Sequence, residues 1–127
     1  MAERERRKSR RVAARLAMSV RRAADAARRS LKADSINLSS GGVYCSIPAF
    51  LPPLTRVTFT FTLPGRTDDP TKTITCSGVV VRCEPFEAGG DFQAACCFTD
   101  LSNEDKESIE DFVTRQMLMS LASEARN

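Results

Sequence analysis

Two short stretches hold the residues best suited to gripping an anion. Positions 6–11 read R-R-K-S-R-R and contain R-x-x-x-R in two registers, Arg7 with Arg11 and Arg6 with Arg10. About 25 residues later, positions 37–42 read N-L-S-S-G-G, which sets Asn37, Ser39 and Gly42 at the spacing N-x-S-x-x-G. A guanidinium offers a planar fork of donors that pairs in bidentate fashion with phosphate oxygens or other paired acceptors. An amide and a hydroxyl can both donate and accept. Taken singly, each stretch also has a plain reading: a run of charge is usually a solvated tail, and Asn, Ser and Gly are turn formers.

Charge placement strengthens the first stretch. Residues 1–32 hold twelve of the nineteen Lys and Arg against three acids, a formal +9, while the rest of the chain is −6. The net +3 hides a basic N-terminal third that calls for phosphate, an acidic partner or an anionic surface. There is no histidine, which removes the commonest general base and the usual partner of a Ser or Cys nucleophile. No carboxylate or Lys cluster replaces it, so a binding module is expected rather than an enzyme. Cys45, Cys76, Cys83, Cys96 and Cys97 form no C-x-x-C pair. They read as small, reduced core residues, and neither a metal nor a cofactor is expected. With 127 residues the chain is expected to form one domain. It has no stretch approaching the roughly 20 apolar residues of a membrane span. The absence of a secretory h-region points to the cytoplasm.

The elements that must position these residues are mostly strands. Val57 to Leu63 alternates Val, Phe, Phe and Leu with Thr, a half-buried strand between Pro52-Pro53 and Pro64-Gly65. Thr73 to Cys83 is a second β-rich run with Gly78 as its candidate bulge. Phe92 to Phe98 puts Phe92, Ala94, Cys96 and Phe98 on one face, and Val43 to Ile47 is a shorter strand. Arg66–Lys72 and Glu84–Gly90 read as hairpin loops. Val12 to Lys32 is ambiguous: its Ala and Arg content favours helix, yet Val12, Ala14, Leu16, Met18 and Val20 alternate like a strand. Ser102 is a good N-cap, followed by Glu104 and Asp105 in the first turn. Ile109, Phe112, Val113, Met117 and Leu121 then recur at helical spacing, predicting an amphipathic helix from about Asn103 to about Leu121.

In this order, R-x-x-x-R, then N-x-S-x-x-G, then G-V-V-V-R at 78–82, then F-Q-A-A-C-C-F-T-D-L-S at 92–102 running into an acidic-capped helix, the chain resembles the PilZ domain family from about Glu5 to Val113. The resemblance implies a mainly β fold: a six-stranded antiparallel barrel with a C-terminal amphipathic helix and a flexible basic N-terminal segment. On that basis Val12 to Val20 and Leu31 to Leu38 become strands. It divides the chain into a ligand-clamping segment (1–11), the barrel with its helix (12–121) and a tail (122–127). The implied ligand is the bacterial second messenger cyclic di-GMP, and the implied role is a non-catalytic receptor that changes its N-terminal conformation and signals to a protein partner.

The residues expected to meet the ligand are Arg6, Arg7, Arg10, Arg11, Asn37, Ser39, Gly42 and Arg82. Two Arg four apart can wrap a guanine and a phosphate. Asn37 and Ser39, two apart on a strand, would share a face. Gly42 would let the backbone approach the ligand, and the Arg82 guanidinium can stack on a base. The family often has Asp where this chain has Asn37, so a weaker selection of guanine is expected there. Two alternatives remain at this point: a PilZ-type interaction scaffold that binds no nucleotide, and a general nucleic-acid binder, the latter weakened by one Tyr and no Trp. The apolar positions of the last helix are compatible with a homodimer.

Overall fold

Strands with strict two-residue alternation need a second surface against which to bury their apolar face, and here six of them supply it to one another by closing into a barrel. The computed structural model describes residue 13 and residues 15–24, 29–65, 71–86 and 90–126, with only the backbone described for 124–126. The strands are β1 (Ala17–Arg22), β2 (Ser30–Leu38), β3 (Gly42–Ile47), β4 (Arg56–Leu63), β5 (Lys72–Pro85) and β6 (Phe92–Phe98), followed by helix α1 (Asn103–Arg126). Every pairing is antiparallel, in the closed order β1-β2-β3-β6-β5-β4.

The pattern read from Val57 to Leu63 is the pattern observed. Val57, Phe59, Phe61 and Leu63 point into the barrel, while the intervening threonines face out and pair across to β5, Thr60 with Thr75 and Thr62 with Thr73. Phe98 closes the aromatic centre, edge-on to Phe59 with the ring centroids 5.6 Å apart. The interior is completed by Met18, Val20, Leu38, Ile47, Ile74, Val80 and the buried cysteines.

Four expectations need correcting. Among the described residues the first strand begins at Ala17, with Ala13, Arg15 and Leu16 outside it, and runs on to Arg22, while Val12 and Ala14 lie outside the described residues. Its Ala- and Arg-rich sequence favours helix locally, but pairing on both sides, with β2 and with β4, overrides that propensity. The bulge of β5 falls between Val80 and Arg82 and not at Gly78. Gly78 instead lies flat against its neighbours: a Cβ there would stand 2.6 Å from Phe59 and 2.7 Å from the Cys97 carbonyl. A second bulge, between Ser35 and Asn37, interrupts β2. The helix extends to Arg126, past Leu121. Finally, four cysteines are core residues as expected, but Cys97 is exposed, because its position on β6 faces outward.

Helix α1 starts as its sequence dictates. The Ser102 hydroxyl accepts from the Asp105 amide at 3.1 Å, and Glu104 and Asp105 also hold Lys72 at 2.9 and 3.6 Å. The helix lies across the barrel end made by the β2–β3 and β4–β5 connections, where Arg115 donates to the Pro64 carbonyl and Ser40 to Glu110. Ile109, Phe112 and Val113 are its buried face. Each such side chain contributes about 1.5–3 kcal/mol when fully removed from water.

Candidate functional site

At the helix-capped end, β2 runs into β3 through residues 39–41, and the short turn is built by Ser39. Its side chain is 1% exposed. The Ser39 hydroxyl accepts from the amides of Gly41 (3.1 Å) and Gly42 (3.3 Å), and its amide donates to the Gly42 carbonyl at 3.0 Å. Ser39 therefore lies beyond the end of β2 and does not share a strand face with Asn37, as the sequence spacing suggested. Its hydroxyl shapes the turn from inside. Gly42 is required for a related reason. No glycine among the described residues has a positive φ. A Cβ at Gly42 would instead overlap the Cys96 carbonyl oxygen and stand 3.2 Å from the Cys96 carbonyl carbon and the Cys97 Cα. The turn is also held to β6 by the Phe98 amide, which donates to the Gly41 carbonyl at 3.0 Å.

Asn37 sits at the mouth of this turn. The bulge at Ile36 shifts the alternation by one, so that Ser35 and Leu38 are buried and Asn37 is half-buried on the outer side. Its carbonyl oxygen Oδ1 is buried yet has no hydrogen-bond partner among the described residues. Buried acceptors are nearly always paired, and leaving one unpaired costs about 1–3 kcal/mol. An orphan acceptor at the head of a rigid turn is a place where a donor from elsewhere can bind.

The strand registers extend a row outward from Asn37. Asn37 pairs with Tyr44, Tyr44 with Ala95, and Ala95 with Arg82. Tyr44 donates to Gln93 Oε1 at 2.5 Å, which fixes its ring on this surface. Gly42 and Cys97 form the neighbouring pair. Arg82 is mostly exposed and meets Glu84 at 3.1 Å. It shares the outer surface but lies three strand spacings, about 14 Å, from Asn37. Asn37, Ser39 and Gly42 are thus brought together, and Arg82 is brought only to the same face. Tyr44 and Gln93 were not singled out from sequence. Tyr44 could have been found from the alternation of β3, which sends it outward if Cys45 goes in.

Arg6, Arg7, Arg10 and Arg11 lie outside the described residues. What is described is the point from which that segment departs. The Leu16 amide donates to the Ser35 hydroxyl at 2.7 Å, and the Ser35 amide donates to the Leu16 carbonyl at 2.9 Å. This clamp fixes the chain just before β1 against β2, two residues from Asn37. From Leu16 to Arg11 is five residues, a reach of about 17 Å when extended.

Two buried core thiols, Cys76 and Cys96, are held towards the protonated form. Burial, with Asp100 and Asp105 nearby, pushes the Cys76 thiol up to about 12. Cys96 is also pushed well above an ordinary thiol, first by its hydrogen bond with Cys45 and then by burial. Among the described residues no group of His, Cys, Asp and Glu is arranged to hold a metal ion, and no helix is long and apolar enough to cross a membrane.

The fold is shared with solved structures. The Bacillus subtilis inhibitor of motility (MotI/DgrA) superposes with a TM-score of 0.76 at 17% identity, over 89% of this chain and 52% of that one, so the chain spans about half of its length. The PilZ domain of Escherichia coli YcgR, in a structure with cyclic di-GMP, superposes with a TM-score of 0.59 at 17% identity, over 95% of each chain. Comparison of the sequence with curated proteins yields no match. The model of the PilZ domain matches residues 5–115, and the chain belongs to the PilZ domain family.

Proposed function

We propose that this domain is a non-catalytic receptor for cyclic di-GMP, which it holds between the basic N-terminal segment and the outer face of β2 and β3 beside the β2–β3 turn. The observation that carries the reading is the buried Oδ1 of Asn37, which has no hydrogen-bond partner among the described residues. A guanine presents ring and exocyclic N–H donors that such an acceptor can meet, and the phosphates call for cations. Arg7 and Arg11, with Arg6 and Arg10 in the second register, supply those cations. The Leu16–Ser35 clamp supports their arrival on this side of the barrel. The YcgR domain, which shares the fold, was solved with the same ligand.

In this reading the residues divide by task. Asn37 meets the guanine edge, Ser39 holds the turn, and Gly42 keeps β3 close to β6 so that the surface stays shallow. Arg82 stacks or pairs at the far side of the ligand face. Binding orders the N-terminal segment over the barrel, and the new surface signals to a protein partner in the cytoplasm. Trypsin digestion tests this directly, because the segment is rich in cleavage sites. Cyclic di-GMP should protect the bonds after Arg7 and Arg11 in the full chain, and the linear dinucleotide should not. Unchanged cleavage at saturating ligand would refute the ordering step. Unchanged ligand affinity in Arg7→Ala and Arg11→Ala would refute the clamp. A domain that binds no nucleotide at all would be an interaction scaffold.

A further inference from the structure

The geometry points to a second site, a docking cleft for an acidic, apolar segment of a partner protein, at the end of the barrel opposite helix α1. A cavity of about 830 Å³ opens there, lined by Arg22, Arg29, Leu31, Phe50 and Leu51 together with small residues. It is separate from the proposed nucleotide face. Leu31 and Asn37 are six residues apart on β2, about 20 Å along the strand.

The lining has the two components that such a segment needs. Its floor is apolar: Leu51 is fully buried, Leu31 is half-buried, and Phe50 leaves 49% of its surface exposed. Phe50 is held in place, its ring edge-on to Phe92 at 5.8 Å. Its rim is cationic, with Arg22 at the end of β1 and Arg29 just before β2, and none of the described lining residues is acidic. Apolar side chains can fill the floor while a flanking carboxylate meets the Arg22 guanidinium.

The loop that carries Phe50 also presents a second exposed apolar residue. Leu54 is 81% exposed and has a φ of 74°, the left-handed region that a branched residue seldom occupies. The backbone holds it there: the Leu54 amide donates to the Val80 carbonyl at 2.7 Å, and the Thr55 amide donates to the Pro52 carbonyl at 3.1 Å. A strained backbone that presents a large apolar side chain to water is a feature of recognition surfaces. The same charges and apolar groups could attract an anionic membrane, but a concave cleft fits inserted side chains better than a lipid surface. The partner is therefore a protein segment of alternating or flanking acidic and large apolar residues.

This inference rests on the reading that the domain signals to a protein, and it does not depend on nucleotide binding. The test is amide NMR of the full chain with an end-blocked hexapeptide, Glu-Glu-Leu-Phe-Glu-Glu, as the probe. Its counterparts are Lys-Lys-Leu-Phe-Lys-Lys and Glu-Glu-Ser-Ser-Glu-Glu, and the variants are Arg22→Glu and Phe50→Ser, both at exposed positions. The acidic apolar peptide should shift the amides of Leu31, Ala49, Phe50 and Leu51, neither counterpart should, and each variant should weaken the response about tenfold. Cyclic di-GMP affinity should be unchanged in both variants, which separates failure of the cleft from failure of the nucleotide reading. No shift at these amides at about 2 mM peptide, where even a weak complex of about −4 kcal/mol is populated, would overturn the inference. An equal response to the lysine peptide would also overturn it. So would binding to anionic phosphatidylglycerol vesicles through these residues without any response to the peptide.

Discussion

Replacing Asn37 by leucine, which has the same branched outline without polar atoms, should make the ligand-free domain more stable and at the same time destroy its affinity for cyclic di-GMP. The first effect follows from the orphan acceptor. Oδ1 is buried without a partner among the described residues, and the desolvation cost of such a group is about 1–3 kcal/mol. Asn37 is only half-buried, so the lower end applies, a gain of about 1 kcal/mol on removal. In a chain of this size that raises Tm by about 3–6 °C. The second effect has the opposite sign. Loss of hydrogen bonds to a guanine edge should weaken binding about 10- to 100-fold, equivalent to about 1.4–2.8 kcal/mol. Ligand at 100 times the wild-type Kd stabilises the wild type by about 2.7 kcal/mol, whereas a variant weakened 100-fold gains only about 0.4 kcal/mol. The melting order therefore inverts: Asn37→Leu melts higher without ligand and lower with it. Thermal denaturation of both proteins, with and without cyclic di-GMP, reads this out. A variant that melts below wild type without ligand, or one that keeps the full ligand shift, would refute the reasoning.

Asn37→Asp should move both quantities the other way, lowering ligand-free stability by placing an unpaired charge at a partly buried position and tightening the ligand complex; melting and calorimetry check it. Gly42→Ala should cost about 3 kcal/mol in urea unfolding, because the overlap is with the Cys96 backbone, which cannot rotate aside, and a loss below about 1 kcal/mol would contradict that geometry. The raised Cys76 thiol means that the unfolded chain ionises first above about pH 9, so this group's contribution to stability is complete below that pH and is lost as pH rises towards about 12. Urea midpoints at pH 8 and pH 10 should show wild type losing about 1 kcal/mol more than Cys76→Ala over that interval. Arg11→Ala should reduce ligand affinity at least about tenfold while leaving urea stability within about 0.5 kcal/mol, since every strand pairing among the described residues lies C-terminal to it.

The parts of the fold that were legible in the sequence are those in which local pattern and tertiary role coincide. In β4 the Thr alternation is both the β signal and the actual division between inside and outside, and β6 spans the residues its alternation indicated. The start of α1 was legible because Ser102 and Asp105 act on the backbone next to them. Strand β1 was not, since only its two neighbours in the barrel decide against helix. Both bulges were hidden for the same reason: they exist in the register with a partner strand, not in the strand itself. At the site, the motif from Asn37 to Gly42 was visible, but the bulge at Ile36 and the end of β2 at Leu38 separate the roles that even spacing had joined. Ser39 turns inward to build the turn and Asn37 faces out. Cys97 escaped because alternation within β6 sets it opposite Cys96, although the two are adjacent in sequence.

Calorimetric titration of the full chain with cyclic di-GMP at near-physiological salt, with the linear dinucleotide and GTP as controls, tests the central claim most directly. The Asn37 Oδ1, without a partner among the described residues, predicts saturable, selective binding at micromolar concentration or tighter, about −8 kcal/mol or better. The absence of heat and of any thermal shift with cyclic di-GMP, or an equal response to GTP, would contradict it.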